Sequence, residues 1–232
     1  MTDGSCDAGG MRGVTWPGLL LLMAACGGSE PAPTSDAAAS SGPDAAPAPV
    51  DAGFRSDLMF FVGDSYLVGA STYLPDAFAG FRQEVRAKVG DTIVRRAEFL
   101  AEAAASEARG VIVQLGINDI AGGANHTVLQ ERIGATMDQL AAVDCLGWPT
   151  YPTQIAGSYA NVAPLAPILN TMIRDEALAR PWVTVIEFGP AVDADVPTLR
   201  GGDGLHPTQA GYRLLAQMYA DVLIDGCHPR GQ

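Results

Sequence analysis

The stretch LMFFVGDSYLVG, residues 58–69, constrains what this chain can fold into more than any other. Its first five residues are a short apolar, partly aromatic run closed by Gly63, which predicts a buried strand rather than a helix segment. Gly63 permits a sharp turn where a side chain would clash. Ser65 then stands at the carboxyl end of a strand and in the first turn of a helix. A hydroxyl placed there is exposed, and the unbonded amides around it point outward as donors to an anion. A hydrolase sets its nucleophile in such surroundings. An ordinary strand-to-helix turn capped by Asp64 or Ser65 uses the same residues.

The pattern recurs downstream. Residues 66–81 predict an irregular helix and a loop, broken by Gly69, Pro75 and Gly80. Residues 84–89 alternate Val85, Ala87 and Val89 with Arg86 and Lys88, predicting a second strand that ends at Gly90-Asp91. The Ala- and Glu-rich residues 92–109 predict a helix stopped by Gly110. A buried strand over 111–115 leads into Gly116-Ile117-Asn118-Asp119, and a helix is expected over about 128–143. Residues 144–150 read as a fourth strand, with Gly147 and Pro149 pointing to a sheet edge. Residues 159–180 are helical with interruptions at Pro164 and Pro167, and 182–188 make a fifth strand. A loop over 189–204 reaches Leu205-His206-Pro207, and a last helix spans 208–225. Strands alternating with helices imply an α/β fold with a parallel sheet covered on both faces. Sites in such sheets lie at the carboxyl ends of the strands. Ser65, Gly90 and Asn118 each follow a predicted strand, so all three should emerge at one edge.

Ester hydrolysis needs a nucleophile, a base with an orienting carboxylate, and donors for an oxyanion. Ser65 supplies the hydroxyl and its own N–H; Gly90 offers an amide with no Cβ to obstruct it, and Asn118 a side-chain amide. Asp203 and His206 are three residues apart, so the carboxylate can reach back to the imidazole and fix its tautomer. Pro207 suits the first position of the following helix. Singly, each residue also has a plain structural role: Gly90 a turn, Asn118-Asp119 a cap, Asp203 and His206 a surface turn within GGDGLHP. His126 and His228 have no acid at comparable spacing and position and read as surface residues.

Length and charge bound the alternatives. The chain has 232 residues, room for one domain with a core. Its formal net charge is -12 with a single lysine, Lys88, which argues against a nucleic-acid surface. Near the N-terminus, Met11 and Arg12 precede an apolar run too short to span a bilayer but suited to a signal peptide, with Met1 or Met11 as the start. Ala24 and Ala25 stand directly before Cys26, an arrangement that resembles the lipobox of bacterial lipoproteins, with Met23 where leucine is usual. By that resemblance Cys26 carries lipid; an ordinary secretory signal is the alternative. Residues 27–53, built of Ala, Pro, Ser, Gly and Asp, read as a disordered tether. The domain is expected in an exported setting, anchored in the cell envelope or else periplasmic or secreted. Of four cysteines, Cys6 leaves with the signal, and Cys145 and Cys227 remain as a pair or as two unrelated buried thiols.

Together and in this order, Gly63-Asp64-Ser65-Tyr66, Gly90, Gly116-Ile117-Asn118-Asp119 and Asp203-Gly204-Leu205-His206-Pro207 resemble the four blocks of the SGNH hydrolases, the GDSL-type lipases and esterases. The resemblance covers roughly residues 58–225. Tyr66 stands where the GDSL name has leucine, a departure expected to leave the chemistry untouched. The resemblance implies a three-layer α/β/α sandwich around a five-stranded parallel sheet, with Ser65 as nucleophile, His206 as base and Asp203 as its partner. It places Ser65, Gly90 and Asn118 in the oxyanion hole and implies no cofactor or metal. The division expected is a signal peptide over 1–25, a lipid-anchored linker over 26–55, the hydrolase domain over 56–228 and a tail over 229–232. In that topology Cys145 and Cys227 both fall at the non-catalytic edge, which favours a disulfide between them. The expected substrates are small-molecule esters, acylated carbohydrates or lipids, with any membrane contact through the N-terminal lipid alone. The absence of a long lid-like insertion leans toward short acyl or acetyl groups. Tyr66, Tyr73, Trp148 and Tyr151 are candidates for pocket walls and equally for ordinary packing. O-acyl transfer through the same acyl-enzyme, and a catalytically silent binding domain, are the other readings.

Overall fold

The computed structural model describes Phe54 and residues 56–228. Residues 1–53, 55 and 229–232, on which the expected signal peptide, the lipidation at Cys26, the tether and the tail fall, lie outside the described residues. Segments of four to six residues, apolar except in β2 and at Gln114 and Thr184, make five strands among the described residues: β1 (Leu58–Gly63), β2 (Arg82–Ala87), β3 (Gly110–Gln114), β4 (Cys145–Pro149) and β5 (Val183–Ile186). All are parallel, in the order β2-β1-β3-β4-β5. Every residue of β3 and all but the first of β1 are buried, as a sheet covered on both faces requires. At the β2 edge exposed and half-buried residues alternate.

Among the described residues nine α-helices connect and cover the strands: α1 (Ser65–Ala70), α2 (Leu74–Ala77), α3 (Ala97–Ala105), α4 (Ile117–Ala121), α5 (His126–Gln139), α6 (Ala166–Leu178), α7 (Phe188–Ala194), α8 (Val196–Leu199) and α9 (Gln209–Ala220). Among the described residues none is long and apolar enough to cross a membrane. The chain is an α/β fold, a parallel five-stranded sheet with helices, and its strand order reverses direction at β1 and β3. The crevice outside the carboxyl ends of those two strands is where such sheets bind ligands. Ser65 follows β1 and Asn118 follows β3, so both lie at that crevice.

Several expectations are corrected. β4 is interior, between β3 and β5, not an edge strand. Its proline is the last residue of the strand, where one missing N–H costs little, and Gly147 leaves room for the side chains of Ile112 and Ile186. Residues 189–204 are not a loop: they carry most of α7 and all of α8. Pro207 does not open the last helix. Thr208 caps α9 by accepting from the Gly211 N–H at 3.1 Å, and Pro207 pairs instead with Arg200 in an isolated bridge. Cys145 and Cys227 are joined as a disulfide with Cα atoms 5.8 Å apart, at the edge away from Ser65 where β4 begins.

Candidate active site

The site is assembled from three strand ends and one loop. At the end of β1, Asp64 caps α1, its Oδ1 accepting from the Tyr66 N–H at 2.9 Å. Ser65 is therefore the first residue of the helix, and its N–H has no acceptor within it. The loop 201–207 before α9 carries Asp203 and His206. Asp203 Oδ1 accepts from the N–H groups of Leu205 at 3.0 Å and His206 at 2.9 Å, which curls the loop around the carboxylate. Asp203 Oδ2 lies 2.6 Å from His206 Nδ1, and His206 Nε2 lies 2.9 Å from Ser65 Oγ. Burial pushes the Asp203 carboxyl up, but hydrogen bonds from the His206 ring and the two amides outweigh it and hold it below its ordinary value. Asp203 is thus ionised beside the imidazole, and the nitrogen facing Ser65 is free to accept a proton.

Gly204 gives this loop its shape. Its φ is +84°, and a Cβ there would strike the backbone of Ala156. Its carbonyl accepts from the Ala156 N–H at 2.9 Å.

Gly90 and Asn118 stand opposite. Gly90 sits in the turn after β2 with φ +77°, and a Cβ built on it meets nothing within 4 Å. The residue is thus required by backbone conformation, not by the clearance that the sequence suggests. Among the described residues its N–H has no acceptor. Asn118, in the first turn of α4, donates from Nδ2 to the Asp91 carbonyl at 3.0 Å and, more weakly, to Asp64 Oδ2 at 3.4 Å. A second tie joins these segments, since the Ile93 N–H donates to Asp119 Oδ2 at 3.1 Å. Asp91 pairs with Arg96 in a buried ion pair. Gly90 and Asn118 are in this way held in register across two chain segments.

Asp64 is fully buried and also accepts from the Tyr151 hydroxyl at 3.1 Å. Burial drives its pKa up to about 7, and the Tyr66 amide and Tyr151 hydroxyl only partly oppose this. Tyr66 does more than fill the leucine position of the motif: its buried hydroxyl donates to the Leu205 carbonyl at 2.7 Å, one residue before His206. This bond, which a leucine cannot make, ties α1 to the histidine loop.

Ser65, Gly90, Asn118 and His206 line one cleft of about 190 Å³ whose other walls are Val89, Ile117, Ala121, Tyr159, Val162 and Leu205. Of the aromatic candidates, Tyr66, Trp148 and Tyr151 are core residues, and Tyr73 lines a different depression beside Arg213. The aromatic wall is Tyr159, its ring edge-on to His206 at 5.7 Å. Tyr159 sits on a short 3-10 segment (Gly157–Val162) with no motif around it, so no local signal marks it. His126 and His228 are exposed.

A family model described as the GDSL-like Lipase/Acylhydrolase family matches residues 61–214. No curated protein matches the chain. Among solved structures, the lipase/acylhydrolase from Enterococcus faecalis superposes with a TM-score of 0.59 at 18% identity, covering 75% of this chain and 99% of that one. The catalytic domain of a peptidoglycan O-acetyltransferase from Streptococcus pneumoniae gives 0.58 at 17% identity over 78% and 100%. An acetylxylan esterase from Geobacillus stearothermophilus gives 0.53 at 15% identity over 74% and 95%. At these identities the likeness speaks for the fold.

Proposed function

Since the chain belongs to the GDSL-like lipase and acylhydrolase family, we propose that it is a serine esterase that hydrolyses short acyl or acetyl esters through Ser65, His206 and Asp203. The observation that carries this reading is the continuous chain of hydrogen bonds from Ser65 Oγ through His206 to Asp203, at 2.9 and 2.6 Å. In the proposed reaction Ser65 Oγ attacks the ester carbonyl carbon while His206 Nε2 takes its proton. Asp203 holds the ring in the required tautomer and balances the imidazolium. The carbonyl oxygen, now negative, is met by the N–H groups of Ser65 and Gly90 and by Asn118 Nδ2. Asn118 exchanges its weak 3.4 Å bond to Asp64 for the oxyanion and keeps the 3.0 Å bond to Asp91 that positions it. One such donor is worth about 3–4 kcal/mol in the transition state. His206 then gives its proton to the departing alcohol oxygen. Water, deprotonated by the same imidazole, releases the acid and restores Ser65.

The small, largely apolar cleft supports a short acyl group. A second reading, O-acyl transfer, replaces the water with a sugar hydroxyl; it is favoured by the likeness of fold to an O-acetyltransferase domain and is told apart by product analysis with a sugar acceptor. Export and lipid attachment at Cys26 are part of the proposal and rest on residues 11–26 alone.

The test compares a chromogenic acetate ester with a longer-chain one in the wild type and in Ser65→Ala. The wild type should turn over the acetate faster, and the variant should fall to background while remaining folded. Equal rates in both proteins would remove Ser65 from the mechanism.

A further inference from the structure

A second groove, of about 630 Å³, adjoins the catalytic cleft. The two share Gly90, Asn118 and Ala121, but neither Ser65 nor His206 lines the groove. It therefore opens on the far side of the oxyanion donors from the nucleophile. Its chemistry is different as well. The cleft is walled by Val89, Ile117, Val162 and Leu205, whereas the groove carries Thr92, Arg95, Asp119 and Arg132 around a Gly122-Gly123 floor.

Arg82, Arg86, Arg96, Arg174 and Arg180 each hold a carboxylate in an ion pair. Among the described residues Arg95, Arg132, Arg200 and Arg213 are in no ion pair with a carboxylate, and of these only Arg95 and Arg132 line the groove. The Arg95 guanidinium makes only a 3.5 Å contact to the Gly90 carbonyl. Asp119, at the groove floor, spends Oδ2 on the Ile93 N–H and meets Arg132 only at longer range. In a chain of net charge -12, the groove brings two guanidinium groups together with one carboxylate, Asp119, beside the oxyanion donors, an excess of positive charge opposite in sign to that of the molecule. A guanidinium presents planar paired donors that match a carboxylate.

We propose that this groove is a subsite for a carboxylate carried by the ester substrate, an inference that rests on the esterase reading above. The carboxylate can be borne on either side of the scissile bond: on the alcohol, as in an acetylated uronic acid, or on the acyl group, as in a half-ester of a dicarboxylic acid. Recognition is the same in both, an anion between Arg95 and Arg132.

The test measures binding without turnover, by calorimetry on the Ser65→Ala chain. The probes are two matched pairs: 4-nitrophenyl hemisuccinate against 4-nitrophenyl butyrate, and an acetylated glucuronic acid against the same acetylated glucose. In at least one pair the charged ester should bind about tenfold tighter than its neutral twin at low ionic strength. That pair identifies the side that carries the carboxylate. The gap should shrink in about 0.5 M salt and close when Arg95→Gln and Arg132→Gln are combined. Arg95→Gln alone, at an exposed position, should remove part of it. Equal binding within both pairs, no binding of either charged ester, or a gap that survives both substitutions overturns the subsite. The esterase reading fails separately, when the wild type shows no Ser65-dependent hydrolysis of any of the four esters, and the binding comparison stands regardless.

Discussion

A serine hydroxyl is a weak nucleophile, and what distinguishes Ser65 is one imidazole nitrogen at 2.9 Å. Much around that pair is less obvious from its motif. The Tyr66 hydroxyl anchors the Leu205 carbonyl, so its loss leaves a buried acceptor unpaired next to the histidine. Tyr66→Phe should lower kcat by roughly tenfold with KM nearly unchanged, since the bond bears on the alignment of His206 and not on ground-state binding. Steady-state kinetics on the chromogenic acetate checks this; an unchanged kcat would make the bond purely structural. Asp64 offers a pH signature. Its carboxyl titrates near 7 in the fold against 3.8 ordinarily, so between those values the folded state keeps a proton that the unfolded chain has released. Stability carried by that proton is present below pH 4 and is lost as pH rises through 7, by an amount on the order of a few kcal/mol. Denaturant titrations at pH 5 and pH 8 should show the wild type losing stability relative to Asp64→Asn, in which nothing titrates at this position. A parallel pH dependence in both proteins would assign the loss to other groups.

At the scale of elements, the site depends on segments that each hold their shape for a local reason and are then tied together. The cap at Asp64, the turn at Gly90 and the Asx-like curl at Asp203 are local, and all three lie in blocks legible from residue type and spacing. Gly204 is the most exacting of these positions, with φ +84° and the Ala156 backbone where a Cβ would go. Gly204→Ala should destabilise the domain by about 1–3 kcal/mol and cost more activity than stability, because the displaced loop carries both Asp203 and His206. Thermal melting alongside acetate turnover checks the pair of effects; full activity in the variant would show that the loop relaxes without moving the histidine. The misread elements have two causes. β4 contains Gly147 and Pro149, residues that weaken a strand judged alone, yet pairing on both sides supports it. The short helices α7 and α8 have too few residues to carry a periodic signal.

For the whole molecule, the sheet order sets where everything lies. With β1 and β3 adjacent at the centre, their carboxyl ends deliver Ser65 and Asn118 to one crevice. At the other edge the Cys145–Cys227 disulfide joins the start of β4 to the segment after α9, across 82 residues. Closing a loop of that length restricts the unfolded chain and should contribute roughly 4 kcal/mol. Reduction should therefore lower the midpoint of unfolding without touching the acetate kinetics of the folded enzyme, since the bond is far from the cleft. Thiol counting on the denatured, unreduced chain should find no free sulfur at these two positions, and a free pair would refute the cross-link.

Strand character, turn glycines and the spacing of Asp203 from His206 are short-range properties, decided within a few residues, and the sequence by itself determined them and with them the family. Contact across distance is seen only in the tertiary structure, even for Ser65 and His206, whose pairing the family resemblance implies. His206 meets Ser65 across 141 residues, Tyr66 meets the Leu205 carbonyl across 139, and Tyr151 meets Asp64 across 87. Arg95 and Arg132 share a groove though one follows β2 and the other lies on α5. The order of strands in a sheet follows from how whole apolar faces pack and how crossovers close, and no local pattern of residues encodes which side chains then face each other.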